Sequence, residues 1–183
     1  MPSDFSIRLA AHQIKHGGII AYPTDTIYGL GCDPYNAFAV ERLNLIKQRP
    51  LDKKFILLAG QFDQIAPLIT VNSDQKVLIE DTSESISWIA DASTIAPDWL
   101  SDETNTMTVR LSNNDVVKKL CNILGHAIIS TSANLSGKRP AINNLAIRKY
   151  FGSTLNYNLA TNKKLTAKPS KIIRLCDNRI IRE

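Results

Sequence analysis

Hydrophobic positions along the chain fall into two rhythms: short unbroken apolar runs, and longer stretches where apolar residues recur every three or four places. From residue 4 to 16, Phe5, Leu9 and Ile14 supply an apolar face and Gly17-Gly18 a stop, which predicts an amphipathic helix. GGIIAYP then predicts a short buried strand. Asn36 is placed to cap a helix through AFAVERLNLIKQ, with Val40, Leu43 and Ile46 on its inner face and Pro50 at its end. FILLA, at 55–59, predicts another buried strand. Between Gln61 and Asp102 the rhythm fades: a short helix near 61–68, a polar EDTSES stretch and a mixed ISWIADA segment. It returns with MTVRL as a strand, a helix over about 114–124, AIISTS as a strand and a helix over about 143–151. KIIRL and RIIRE flank Asp177-Asn178 as a closing hairpin or strand pair. Strands alternating with helices, without repeats or a linker, predict one α/β domain over 1–183 with a largely covered sheet.

Composition narrows the class. A chain of 183 residues with 44% hydrophobic content suits one globular core rather than disorder. No apolar run reaches the length of a membrane span, and MPSDFSIRLAAHQIKHGG lacks a charged start followed by an apolar block, so a cytoplasmic protein is expected. The three cysteines, Cys32, Cys121 and Cys176, match no metal or redox spacing and read as reduced, mostly packed thiols. His12 and His16 have ligand spacing on a helix, but no third ligand is near and a solvated face suffices. The net charge of +5 suits a polyanionic ligand, although many ordinary proteins share it.

Chemistry concentrates in three loops. YPTDTIYGLG follows a strand and presents Thr24 and Thr26, with Gly29 and Gly31 permitting close backbone approach; a polar turn would also account for it. LIKQRPLDKK gathers Lys47, Arg49, Lys53 and Lys54 where a helix ends, a place where cations also complement the helix dipole without any ligand. Arg49 adds a planar fork suited to phosphate. IISTSANLSGKRP sets Ser130, Thr131, Ser132, Asn134 and Ser136 directly after an apolar strand, followed by Lys138 and Arg139. Hydroxyls, amides and cations together suit an anion cradle, whereas the hydroxyls alone would suit an ordinary serine/threonine turn. There is no GxxxxGK[ST], GxGxxG or GxSxG motif, and no strong nucleophile–base pair, so an enzyme of this kind would work by positioning and charge stabilisation. A non-catalytic RNA- or nucleotide-binding module is the alternative, although only 7% of residues are aromatic and none forms a stacking array.

YPTDTIYGLG, KQRP and STSANLSG, in this order and across nearly the whole chain, strongly resemble the YrdC/TsaC family, the threonylcarbamoyl-AMP synthases, in their short single-domain form. The resemblance implies a twisted, open, mixed sheet with flanking helices and a concave basic face. It implies synthesis of threonylcarbamoyl-adenylate and pyrophosphate from L-threonine, bicarbonate or CO2, and ATP with Mg2+, without a resident metal or organic cofactor. The product would serve t6A modification at position 37 of tRNA, with a tRNA contact and a functional link to the t6A transferase complex. The family's Lys-x-Arg and Ser-x-Asn signature falls on Lys47, Arg49, Ser132 and Asn134, which are the expected catalytic set. Arg49, Lys53, Thr106, Ser132, Asn134 and Arg182 match its ATP contacts; Thr24, Thr26, Arg110, Ser130 and Ser170 match its threonine contacts. TSES, at 82–85, stands where many members carry a WPGP-like turn.

Overall fold

The computed structural model describes residues 2–25, 27–48, 55–82, 84–161, 165 and 170–183. In chain order they form α1 (Asp4–Lys15), β1 (Ile20–Pro23), β2 (Tyr28–Gly31), α2 (Ala37–Lys47), β3 (Ile56–Ala59), β4 (Ile69–Thr70), α3 (Ser73–Glu80), β5 (Ile86–Ala92), β6 (Thr106–Leu111), α4 (Asp115–Leu124), β7 (Ile128–Ser132), α5 (Asn144–Phe151), β8 (Tyr157–Asn158), β9 (Lys171–Arg174) and β10 (Ile180–Arg182). The strands join in one mixed sheet of order β10-β9-β5-β6-β3-β7-β2-β1-β8, with β4 alongside β5. Pairs β1–β8, β3–β6 and β5–β9 are parallel and the others antiparallel. Among the described residues no helix is long and apolar enough to cross a membrane.

The unbroken apolar runs are explained by helices on both faces of the sheet. Alternate residues of β1, β3 and β7 enter different cores. Ile19, Ala21, Leu57, Ala59 and Ile129 pack into one core with Ala39, Val40 and Leu43 of α2 and Ile147 of α5. Ile20, Tyr22, Leu58 and Ile128 pack into the other with α1 and α4. Asparagine starts each of the helices α2, α4 and α5: the side chains of Asn36, Asn114 and Asn143 accept backbone N–H groups of Ala39, Val116 and Ala146.

Three expectations need correction. The buried stripe of α1 is Ile7, Ala10, Ala11 and Ile14, while Phe5 is 75% exposed and Leu9 only partly covered. Two alanines let α1 lie close to α4, and that approach, rather than the larger side chains, selects the inner face. YGLG is not a turn but β2, paired with β1 through Tyr22↔Gly29 and Ile20↔Gly31. The 61–68 segment makes two 3₁₀ turns, Phe62–Gln64 and Ala66–Leu68, instead of one helix. The fading middle also holds α3, whose reciprocal Asn72–Gln75 capping box was legible as a helix start, and the seven-residue strand β5.

The glycines of β2 make room for the Tyr22 ring. A Cβ on Gly31 would stand 2.4 Å from the Ile129 carbonyl oxygen and 2.8 Å from Tyr22 Cε1. Gly31→Ala is therefore expected to destabilise the fold by about 1–3 kcal/mol, as overpacking does, read as a lower urea midpoint; an unchanged midpoint would show that the strand yields freely. Cys32 and Cys121 are buried, and burial pushes both thiols up to about 12, whereas Cys176 is exposed. One thiol of three should react with Ellman's reagent in the native protein at neutral pH, and all three after unfolding.

Candidate active site

The face of the sheet that carries α1 and α4 is covered only in part. Beyond the edge of those helices lies a cleft of about 510 Å³. Strand register builds its floor. Ile56 of β3 stands between Thr108 of β6 and Ser130 of β7, and Leu58 stands opposite Arg110. Gly29 of β2 faces Ser132 of β7. A side chain at Gly29 would press within 3.2 Å of both the Ser130 hydroxyl and the Tyr22 ring, so glycine keeps this floor low.

One wall is the junction of α2 with the loop after β7. Lys47 is only 4% exposed, and its ammonium donates to the Asn134 carbonyl at 2.9 Å and to that of Ser132. In return the Ser136 N–H donates to the Lys47 carbonyl at 3.1 Å. The loop also ties itself: the Ser132 hydroxyl donates to Asn134 Oδ1 at 2.5 Å, and Asn134 Nδ2 donates to the carbonyls of Leu135 and Lys138 at 2.9 and 2.8 Å. Asn134 thus holds the loop's shape with both ends of its amide.

The opposite side carries two guanidiniums. Arg110 is 4% exposed, and burial lowers its pKa from the ordinary value while Asp25 opposes the shift. Arg182 is anchored through Nε and Nη2 to the Ser170 carbonyl, at 3.2 and 2.8 Å, and burial lowers its pKa too. Both remain cationic at neutral pH, because arginine starts from so high a value. The Ser170 hydroxyl shares a 2.9 Å hydrogen bond with that of Ser87. A partly apolar floor between cations and hydroxyls suits a ligand with an anionic end and a short carbon skeleton.

Of the residues singled out from sequence, Thr24, Gly29, Lys47, Arg110, Ser130, Thr131, Ser132, Asn134, Ser136, Ser170 and Arg182 line this one cleft. Thr106 does not; its hydroxyl donates to Asp102 at 2.9 Å, and Thr108, one strand repeat onward, takes the place in the lining. Thr26, Arg49 and Lys53 lie outside the described residues. Thr108 was recoverable from the alternation of MTVRL, which sets it on the Arg110 face. Ser87 and Asp25 were not, because their partners are distant in sequence.

The fold and cleft can be set beside known proteins. The Sua5–YciO–YrdC family profile, described as telomere recombination, matches residues 12–183. A protein of Nitrosococcus oceani named threonylcarbamoyl-AMP synthase is 39% identical over 171 residues, covering 92% of each chain. One of the same name from Acinetobacter baylyi is 36% identical over 188 residues, covering 97% of each. E. coli YciO superimposes on all of this chain and 91% of its own, with TM-score 0.88 and 25% identity. P. abyssi Sua5 in complex with L-threonine superimposes with TM-score 0.89 and 24% identity on 97% of this chain and 53% of its own, so the present chain spans about half the length of that protein. With the profile running from α1 to the last residue and these relatives covering almost the whole sequence, the chain belongs to the Sua5–YciO–YrdC family.

Proposed function

We propose that the protein is a threonylcarbamoyl-AMP synthase, a nucleotidyltransferase that converts L-threonine, bicarbonate and ATP into L-threonylcarbamoyladenylate, pyrophosphate and water. The observation that carries this reading is the convergence of Lys47, Arg110, Ser130, Ser132 and Arg182 on one cleft. The names borne by the relatives support it. The threonine amine first takes up CO2, released from bicarbonate, as a carbamate. A carbamate oxygen then attacks the α-phosphorus of ATP, and the bond to the β-phosphate bridging oxygen breaks. No protein nucleophile is needed. The task is to bring an anion to a polyanion, which fixed cations and hydrogen-bond donors accomplish by neutralising charge and aligning the reactants.

In this reading Arg110 receives the threonine carboxylate and leaves the amine free, and Thr24, Ser130 and Ser170 border the amino acid. The loop tied by Lys47, Ser132 and Asn134 faces the nucleotide, with Arg182 beside it. Thr26 would join the threonine contacts, and Arg49 and Lys53 the phosphate contacts. Thr106, engaged with Asp102, would reach the nucleotide only by changing partner. Mg2+ enters with ATP as part of the substrate. The product would be handed on for t6A modification of tRNA in the cytoplasm.

Purified protein given ATP, Mg2+, bicarbonate and L-threonine should release pyrophosphate and yield the adenylate by mass spectrometry; omission of threonine should abolish both. Folded protein that makes neither would overturn the reading. Arg110→Ala should raise the KM for threonine roughly ten- to hundredfold, the effect of losing a charged hydrogen-bond pair of about 1.5–3 kcal/mol, with the KM for ATP changed by less than about twofold. The reverse order would move Arg110 to the nucleotide. Lys47→Met should act differently: it strips buried carbonyls of their donor, at a cost of about 1–3 kcal/mol, so the melting temperature and the rate should fall together. A rate loss at full stability would make Lys47 a direct phosphate contact instead.

A further inference from the structure

Thr24 closes the turn between β1 and β2. Its hydroxyl and its N–H both donate to the Ile27 carbonyl, at 2.8 and 3.0 Å. Asp25, next in the chain, reaches the end of β6. There the hydroxyl of Ser112, itself only 1% exposed, donates to Asp25 Oδ2 at 2.9 Å and accepts the Asn114 N–H at 3.2 Å. The same carboxylate oxygen stands 3.5 Å from Arg110 Nη2. Arg110 lines the cleft, is 4% exposed, and its buried Nε has no hydrogen-bond partner among the described residues.

These contacts have a common consequence. A guanidinium is a rigid plane with five donors, so fixing one amino group restricts the direction of the others. Ser112 fixes the carboxylate, the carboxylate fixes one amino group of Arg110, and the guanidinium so held lines the cleft.

We propose that Asp25, held by Ser112, is a positioning residue that presets Arg110 as a receptor for the carboxylate of the amino-acid substrate. Asp25 itself touches no substrate. The identity of that carboxylate rests on the synthase reading; the hold on Arg110 does not. Positioning and plain charge make opposite predictions. An aspartate beside an anion site repels the anion, so removing its charge would tighten binding if charge were all that mattered. Removing a positioning group weakens binding.

Two measurements on the full chain separate the outcomes. In the unliganded protein, the Arg110 Nε–H signal is assigned by its loss in Arg110→Lys and followed by ¹⁵N NMR. It should be sharp and slow to exchange in the wild type, and broadened or lost in Asp25→Ala. In turnover assays, Asp25→Ala should raise the KM for threonine roughly tenfold, as expected when a misaligned Arg110 loses one charge-assisted hydrogen bond to the substrate carboxylate, with the KM for ATP within about twofold. Asp25→Asn and Ser112→Ala should move it in the same direction by less. An unaltered Nε–H signal in Asp25→Ala overturns the proposal. So does a lowered threonine KM in Asp25→Asn, or a parallel rise of both KM values with loss of the circular dichroism signal. Wild-type protein without threonine-dependent pyrophosphate release would overturn the synthase reading, while the NMR result would still decide the role of Asp25.

Discussion

A lysine ammonium taken out of water needs acceptors, and Lys47 finds two of them in the carbonyls of Ser132 and Asn134. That contact joins the end of α2 to the loop after β7, 85 residues onward, and makes one wall of the cleft. The rest of the wall follows from it. With Ser132 bonded to Asn134, and Asn134 bonded to the loop's own carbonyls, the Ser-x-Asn segment is a self-tied strap pinned by a buried charge. Lys47, Ser132 and Asn134 are thus first of all builders of a shape. Replacing any of them alters a hydrogen-bond network whose members depend on one another.

The cleft itself arises from incomplete coverage. Both faces of the sheet are apolar where helices lie on them, and the chain alternates its large side chains between the two cores. On the face of α1 and α4, helix cover stops short of Thr108 and Ser130, and the strand positions there change from aliphatic to hydroxyl-bearing and cationic. Glycine at 29 keeps the floor open, and the Tyr22 ring fills the space that β2 gives up. Stability and site therefore share the same strands. Ile128 is core, and Ser130, two residues along on the same face, is cleft.

Sequence alone determined much of this. Apolar runs such as IIAY and FILLA announced strands buried on both faces, because a strand under helices on each side has no polar face to display. Asn36 announced the start of α2, because its side chain satisfies a backbone donor that a helix leaves open. The three hydroxyl- and cation-rich loops announced a candidate anion site, and eleven of the residues named from them and from the resemblance line one cleft. Local patterns suffice where a residue's role is set by its own backbone. Tertiary structure decided the rest. The inner face of α1 went to two alanines rather than Phe5, because only contact with α4 rewards a small side chain. YGLG became a strand because Tyr22 and Ile129 fill the room its glycines leave. Asp25 acquired Arg110 and Ser112 as partners only when β6 arrived beside the turn. Hydrogen bonds and close packing act over a few ångströms in space, and nothing in the order of residues records which distant side chains will come within that range.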